Sequence, residues 1–171
     1  IKARPICGDI ALTEKFESIR RRVLRLPRNS RKLKKDVLDM RKRMRRELLK
    51  PDPEVFDLKQ GIGAMVDIEF LVQYLVLQYS QRFSQLADWT DTVRLLQALS
   101  RTEIINENTA HLLKHAYLIY RAVAHQLSLQ EAPALIRADK YEPLQKRVRE
   151  LWQSIFASLE NTADNSDFKT H

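Results

Sequence analysis

Cysteine and glycine are the residues that this sequence most clearly lacks. Of its 171 residues one is a cysteine, Cys7, and only three are glycines. A single thiol excludes an internal disulfide framework and predicts a reducing compartment, the cytoplasm. The scarcity of glycine, the 30% of charged residues and the long periodic stretches together predict an all-α protein.

Long hydrophobic runs are absent as well. The longest stretch without a charge runs from Phe70 to Gln81 and contains three glutamines. It is too short to cross a bilayer, so we predict no membrane span and no membrane partner. The chain begins with Ile1 and has no basic-then-apolar leader, so we expect a piece of a longer protein rather than a secreted precursor.

The positive charge is concentrated in the first part of the chain. Residues 1–50 contain 18 Lys and Arg against 6 Asp and Glu, whereas the remainder contains 12 against 16. This asymmetry indicates a surface that faces nucleic acid or phosphate. It is equally typical of solvated helices balanced by acidic parts of a longer protein, and both interpretations stay open.

Apolar residues recur at helical spacing in six segments. The first helix begins at Asp9 or Thr13, ends at Pro27, and carries the row Leu12, Phe16, Ile19, Val23 and Leu26. The second begins near Asn29 or Ser30 and carries the row Leu33, Val37, Met40, Met44 and Leu48. We expect these two helices to form an antiparallel hairpin.

Four further helices are predicted from the same spacing. They run from about Val66 to Arg82, from Thr90 or Asp91 through Leu99, from near Asn106 to about Gln130, and from Leu144 to Leu159. The fold class is therefore an all-α, antiparallel bundle of about five to six helices with one irregular, glycine-containing loop. We expect one domain over residues 1–160 and a disordered tail over residues 161–171.

The irregular loop runs from Pro51 to Met65 and holds Gly61 and Gly63. Because glycine tolerates positive φ and close backbone approach, this turn is predicted to be tight or pressed against something. The helix that follows has no wide polar face, so it should be the buried centre of the domain.

Asp67 and Glu69 are a carboxylate pair beside this turn. Residues two apart on a helix point about 200° from each other, so the two could share a metal only if Asp67 lies before the regular turns. The alternative is structural, with Asp67 capping the helix and Glu69 in its first turn.

Cations near the turn are candidates for binding phosphate. Lys59 precedes the glycines, but no GxxxxGKS or GxGxxG pattern accompanies it. Arg41 and Arg45 share a helix face and could hold a phosphate, or could simply be solvated. Asp91 and Arg94, three apart, are first interpreted as an intrahelical ion pair.

The remaining chemistry-bearing residues suggest no active site. His111 and His115 have the HxxxH spacing of a zinc site but no evident third ligand. His125, one turn after Arg121, is interpreted as packed or hydrogen-bonded, and Cys7 has no base partner. We predict no catalytic residue and no metal ligand in this chain.

Four segments carry a family resemblance. DLKQGIGAMVDIEFLVQYLVL, over residues 57–77, resembles the FDxKxxxGGxxDIEFxxQYLVL signature of the bacterial glutamine synthetase adenylyltransferases. The segments 39–45, 89–94 and 120–130 are similar to the DMRxxMR, W-T/S-D-N-V/I-R and YRxL…HxLxLQ segments of that family. The likeness runs in the family's order from Gly8 to about Leu159. By this resemblance the chain looks like the helical domain of the family's C-terminal half, to which the QYLVL and WTD segments belong.

The resemblance implies a function for a longer enzyme. Family members transfer AMP from ATP, with Mg²⁺, to a tyrosine of glutamine synthetase, and their other half removes it by phosphorolysis. Glutamine and the PII signal protein regulate the balance. The metal-binding carboxylates belong to a GSxxDxD motif in a preceding α/β nucleotidyltransferase domain, and no such motif occurs here. ATP and Mg²⁺ are therefore expected in the longer enzyme and not on this chain.

By the same resemblance this chain is a helical accessory domain, inactive alone. It would close the active-site cleft of the nucleotidyltransferase domain. The residues expected to face the active site or the preceding domain are Lys59, Gly61, Gly63, Asp67, Glu69, Arg41, Arg45, Asp91 and Arg94. The expected partners are the nucleotidyltransferase domain, glutamine synthetase and PII, with no specific nucleic acid.

The sequence departs from the family signature in two places, Ala64 at the second glycine and Thr92 at the asparagine of the WTDN segment. Three alternatives stay open. One is a basic nucleic-acid-binding module on residues 20–46, whose binding would depend steeply on salt. Another is a regulatory domain that docks PII or glutamine synthetase. The third is the related PII uridylyltransferase, which should lack the QYLVL and WTD segments.

Overall fold

The structure is a computed structural model that describes residues 1–50 and 52–163, with side chains described to residue 157. In this part of the chain the α-helices are α1 (Ile10–Leu24), α2 (Ser30–Leu48), α3 (Met65–Tyr79), α4 (Thr92–Arg101), α5 (Glu107–Leu129) and α6 (Glu142–Ala163). Short 3-10 helices occupy Ser84–Ala87 and Ala138–Tyr141, and the strands are β1 (Val55–Asp57) and β2 (Leu135–Arg137). The predicted helical bundle is confirmed.

Short polar side chains start four of the helices. Asp9, Asn29, Asp91 and Asn106 each accept a hydrogen bond from the backbone N–H three residues later, at 2.8–3.1 Å. Each bond satisfies one of the N–H groups that the first helical turn leaves without an intrahelical partner. The predicted starts of α1, α2 and α4 are therefore confirmed.

Helix α3 is the centre of the bundle, as its sequence predicts. It packs against α2, α4, α5 and α6. Its side chains Ile68, Leu71, Val72, Tyr74 and Val76 are each at most 1% exposed. A helix that is apolar on several faces can hide that surface only when other helices surround it.

A two-stranded sheet flanks the bundle and was not predicted as a sheet. In β1 and β2 the antiparallel pairs are Val55 with Arg137, Phe56 with Ile136, and Asp57 with Leu135. The ladder continues into the loop, where the Leu58 N–H donates to the Ala134 carbonyl at 3.0 Å. The sheet fixes the direction in which the chain enters the glycine turn.

Helix α1 forms where predicted but packs differently. Its buried residues are Arg20 and Leu24, and the Arg20 guanidinium donates to the Ala87 carbonyl at 2.7 Å. The helix therefore sits against the 3-10 helix Ser84–Ala87 rather than along α2, and the predicted hairpin is wrong. The apolar row of α1 stays exposed in the described chain: Leu12, Phe16, Ile19, Val23 and Leu26 are 39–68% exposed.

Helix α2 buries only part of the row that its leucines and methionines predicted. Met40 and Leu48 are exposed, so the predicted row is wrong at these two positions. Leu33 and Val37 are partly buried against the core, and the fully buried residue of the helix is Arg41. A buried arginine needs a partner, and it has one in the glycine turn.

Helix α6 reaches into the segment that was predicted as a tail. Helix α6 continues to Ala163, so residues 161–163 are helical. The rest of the predicted disordered tail, residues 164–171, lies outside the described residues. Among the helices that the structure describes, none has the length and apolarity that a membrane span requires.

Candidate functional site

The glycine turn, residues 57–64, is held by bonds within itself. The Asp57 carboxylate accepts from the backbone N–H groups of Lys59 and Gln60 at 2.7 and 2.9 Å. The Gly61 N–H donates to the Asp57 carbonyl at 2.9 Å, and a Cβ on Gly61 would lie 2.5 Å from that oxygen. Only glycine fits there, which confirms the predicted close backbone approach.

Gly63 closes the turn against α6. Its φ is +82°, and a Cβ at this position would lie 2.5 Å from the Gln145 carbonyl oxygen. Ala64, where the family signature has its second glycine, is fully buried with a φ of −86°. A methyl group is therefore accommodated at residue 64, where the backbone has no need of glycine.

Asp67 lies at the centre of a buried cluster that joins α2, the turn and α3. Its Oδ1 accepts from Arg41 Nε and from Arg45 Nη2, both at 2.6 Å, and its Oδ2 accepts from the Gly63 N–H at 2.7 Å. Arg41 also donates to the side-chain and backbone oxygens of Gln60 at 3.0 and 2.8 Å. We call Arg41, Arg45, Gln60 and Asp67 the arginine–aspartate cluster.

Burial decides what this cluster can do. The side chains of Arg41 and Asp67 are 1% and 2% exposed, and that of Arg45 is 25% exposed. Burial lowers the pKa of Arg41, while the charge of Asp67 beside it raises that pKa. Because both side chains are buried in the described chain, Arg41 and Asp67 make their contacts with each other and with the backbone of Gln60 and Gly63. Asp67 is also not the N-cap of α3, which is Ala64, so the predicted capping role is wrong.

Glu69 lies on a different side of α3 from Asp67. Its Oε1 accepts from the Tyr117 hydroxyl at 3.1 Å and pairs with Lys2 Nζ at 2.6 Å. Burial is the main cause of a raised pKa for Tyr117, and the Glu69 charge adds to it. Asp67 and Glu69 both lie within regular helix, so they diverge and cannot share one metal ion.

Asp91 and Arg94 form the exposed pair that their spacing predicted. Their charged groups are 3.6 Å apart, Asp91 caps α4, and the Arg94 guanidinium lies 4.7 Å from the centroid of the Trp89 ring. These contacts organise the start of α4 and leave the pair at the surface.

Lys59 is the exposed cation of the turn, and the structure brings it to two residues of α5. It lines an open groove together with Arg121 and His125. His125 is exposed, so its predicted packed role is wrong. The i, i+4 spacing of Arg121 and His125 was the available signal, but the sequence does not reveal that the turn lies beside this face of α5.

The side chains of the described residues do not form a site for Mg²⁺. Among the described residues no three His, Cys, Asp or Glu side chains come together as a metal site would require. The carboxylate most central to the turn, Asp67, already accepts from two arginines and a backbone N–H.

Comparison with known proteins adds a family to this geometry. The family model described as GlnD PII-uridylyltransferase matches residues 31–134, which include α2, the glycine turn, α3, α4 and α5. This match spans more than half of the sequence. The chain belongs to this family. Within the GlnD PII-uridylyltransferase match lie the arginine–aspartate cluster, Lys59, Arg121 and His125.

One curated relative is similar to almost the whole chain. It is the bifunctional glutamine synthetase adenylyltransferase/adenylyl-removing enzyme of Methylococcus capsulatus, 41% identical over 155 residues. The aligned part is 91% of this chain but only 16% of the relative. The similarity to glutamine synthetase adenylyltransferases expected from the sequence motifs is thereby confirmed.

Proposed function

We propose that the chain is a helical accessory domain of a bifunctional adenylyltransferase. That enzyme transfers AMP from ATP to a tyrosine of glutamine synthetase, and removes it by phosphorolysis, in the control of nitrogen metabolism. The observation that carries this proposal is the 41% identity to an enzyme of that name over 91% of the chain.

The matching family model is described as a uridylyltransferase, which makes that enzyme the nearest competitor. Two features favour the adenylyltransferase. The identity to the adenylyltransferase extends over 155 residues, whereas the family model matches 31–134. The QYLVL and WTD segments at residues 73–77 and 89–91 belong to the adenylyltransferase signature.

The proposed role is to support a catalytic centre that lies in a preceding nucleotidyltransferase domain. ATP and Mg²⁺ would bind there, because the described residues offer no cluster of carboxylates for a metal. Glutamine synthetase is the proposed protein substrate and PII the proposed regulator. Helix α2 turns Arg41 and Arg45 towards Asp67, which leaves fewer cations for the alternative of nucleic-acid binding.

We assign the contact with the nucleotidyltransferase domain to two surfaces. The first is the exposed side of the glycine turn, where Lys59 stands on a backbone fixed by Asp57 and by the Val66 N–H, which donates to the Lys59 carbonyl at 3.1 Å. The second is the exposed apolar row of α1. Contiguous exposed apolar surface of this kind marks protein contacts.

A hybrid enzyme tests the proposal. In it, this chain replaces the matching 155-residue segment of the Methylococcus capsulatus relative. We expect the hybrid enzyme to transfer AMP to glutamine synthetase, while the 171-residue chain alone transfers none. A folded, soluble hybrid without activity would contradict the proposal, and so would Mg-ATP-dependent transfer by the chain alone.

A further inference from the structure

A groove between the glycine turn and α5 collects three nitrogen-bearing side chains from two separate segments. Lys59 comes from the turn, and Arg121 and His125 come from successive turns of α5. The groove is lined by these residues together with Met65, Leu118, Ala122, Ala124 and Ser128. No carboxylate is among the lining residues.

No carboxylate pairs with these three side chains within the described part of the chain, and the charge of Arg121 acts on the Tyr117 hydroxyl one turn earlier. Neither Lys59 nor Arg121 forms an ion pair there, and the His125 ring forms no hydrogen bond. Other cations near the turn differ. Arg41 and Arg45 are paired with Asp67.

The chemistry of the groove is that of an oxyanion site. A guanidinium offers a planar fork of N–H donors, an ammonium offers a mobile point charge, and a neutral imidazole still carries one N–H. The Ser128 hydroxyl adds a further donor. Donors from several directions with no competing carboxylate match the oxygens of a phosphate group.

A neighbouring groove on α5 is a weaker candidate. It shares Leu118 and is lined by Lys114, His115 and Arg147 as well as His111. In that groove, however, His111 lies 3.7 Å from the Glu107 carboxylate, which would compete with an anion. The groove at Lys59 has no such competitor.

We propose that the groove formed by Lys59, Arg121 and His125 binds a phosphate-bearing anion, with linked phosphates preferred over a single one. Lys59 and Arg121 approach from different segments, so a ligand with two linked phosphates can meet both. The binding itself does not depend on the function proposed above. The proposed function bears only on which anion the groove would bind in the longer enzyme. That anion would be pyrophosphate or the phosphates of ATP, and not the orthophosphate used in phosphorolysis.

The test measures pyrophosphate binding to the 171-residue chain by calorimetry at fixed ionic strength. The variant Lys59→Ala/Arg121→Ala should bind about tenfold more weakly or worse, because two charge-assisted contacts are lost. The control Lys42→Ala/Arg43→Ala removes the same two charges from the exposed side of α2. It should change the affinity less than about twofold. Thermal unfolding checks that both variants are folded.

Two further measurements locate the site and identify the anion. In ¹⁵N-resolved NMR spectra, pyrophosphate should shift the backbone amides of Lys59 and His125 and leave those of α2 unchanged. Orthophosphate should bind more weakly than pyrophosphate. Equal binding of the two anions would reject the preference for linked phosphates.

The proposed site would be overturned if both double variants lost the same pyrophosphate affinity, or if the amide shifts were centred on α2. Attraction to the net charge of +8 would then explain the binding. The hybrid enzyme distinguishes this failure from failure of the proposed function. AMP transfer without pyrophosphate binding in this groove would reject the site alone.

Discussion

A single carboxylate, Asp67, accepts hydrogen bonds from groups on two separate segments. Arg41 and Arg45 come from α2, and the Gly63 N–H comes from the turn. A buried arginine is stable only with a charged and hydrogen-bonded partner. Asp67 therefore links α2 to the turn and supplies the charged partner of Arg41, which also donates to Gln60.

Asp67→Asn tests this dependence in the 171-residue chain. We expect the free energy of unfolding to fall by about 3–5 kcal/mol, because the change leaves the charge of Arg41 buried and unpaired. Urea unfolding measures it. The control is Asp91→Asn, where Asn also caps a helix and the pair with Arg94 is exposed, so the loss should stay below about 0.5 kcal/mol. Equal losses in the two variants would contradict a special role for Asp67.

Gly63→Ala should also destabilise the chain, by about 3 kcal/mol. The added methyl would meet the Gln145 carbonyl, and alanine is strained at a φ of +82°. The matched control, Ala64→Gly, should cost about 1 kcal/mol, since Ala64 has a negative φ and is already accommodated. Thermal unfolding of both variants measures these losses of stability. A larger loss for Ala64→Gly than for Gly63→Ala would refute the assignment of strain to residue 63.

The sequence could identify these residues but not their partners. Gly61, Gly63 and Asp67 stand out through composition and spacing alone. Asp67 and Arg41 are 26 residues apart, and no local pattern connects them. The same limit applies to Lys59 and His125, which share a groove only because the bundle places α5 beside the turn.

Helix α3 differs from α1 in the number of elements that cover it. Leu71→Ala in α3 should lower the free energy of unfolding by about 2–5 kcal/mol, the usual cost of emptying a packed leucine site. Leu12→Ala in α1 removes the same atoms from a side chain that is 68% exposed, so it should cost less than about 0.5 kcal/mol. A loss below about 1 kcal/mol for Leu71→Ala would mean that α3 is not the centre of the bundle.

The helices were predictable because hydrophobic spacing and capping residues act locally. The element against which α1 packs was not predictable, because the spacing shows that a helix has an apolar row but does not show what covers that row. Strand β2 escaped prediction for a related reason. Its three residues are too few for an alternating pattern, and it is defined by its pairing with Val55–Asp57.

For the molecule as a whole, the exposed apolar row of α1 predicts how substitutions in this helix change the melting of the hybrid enzyme. Phe16→Ser with Val23→Ser should leave the unfolding of the 171-residue chain almost unchanged, because both side chains are already exposed. In the hybrid enzyme the same change should lower the melting temperature, since the row would lose its apolar contact with the preceding domain. Unchanged melting in both proteins would remove α1 from the proposed interface.

The most direct test of the account is the rate at which the hybrid enzyme carrying Lys59→Ala adenylylates glutamine synthetase. If the glycine turn presents Lys59 to the catalytic centre, the rate should fall by about tenfold or more, the scale of one lost charge-assisted contact. Unfolding of the 171-residue chain should not change, because Lys59 is exposed and unpaired there. The control Lys42→Ala should keep the parental rate. A parental rate in the Lys59→Ala hybrid would contradict the account.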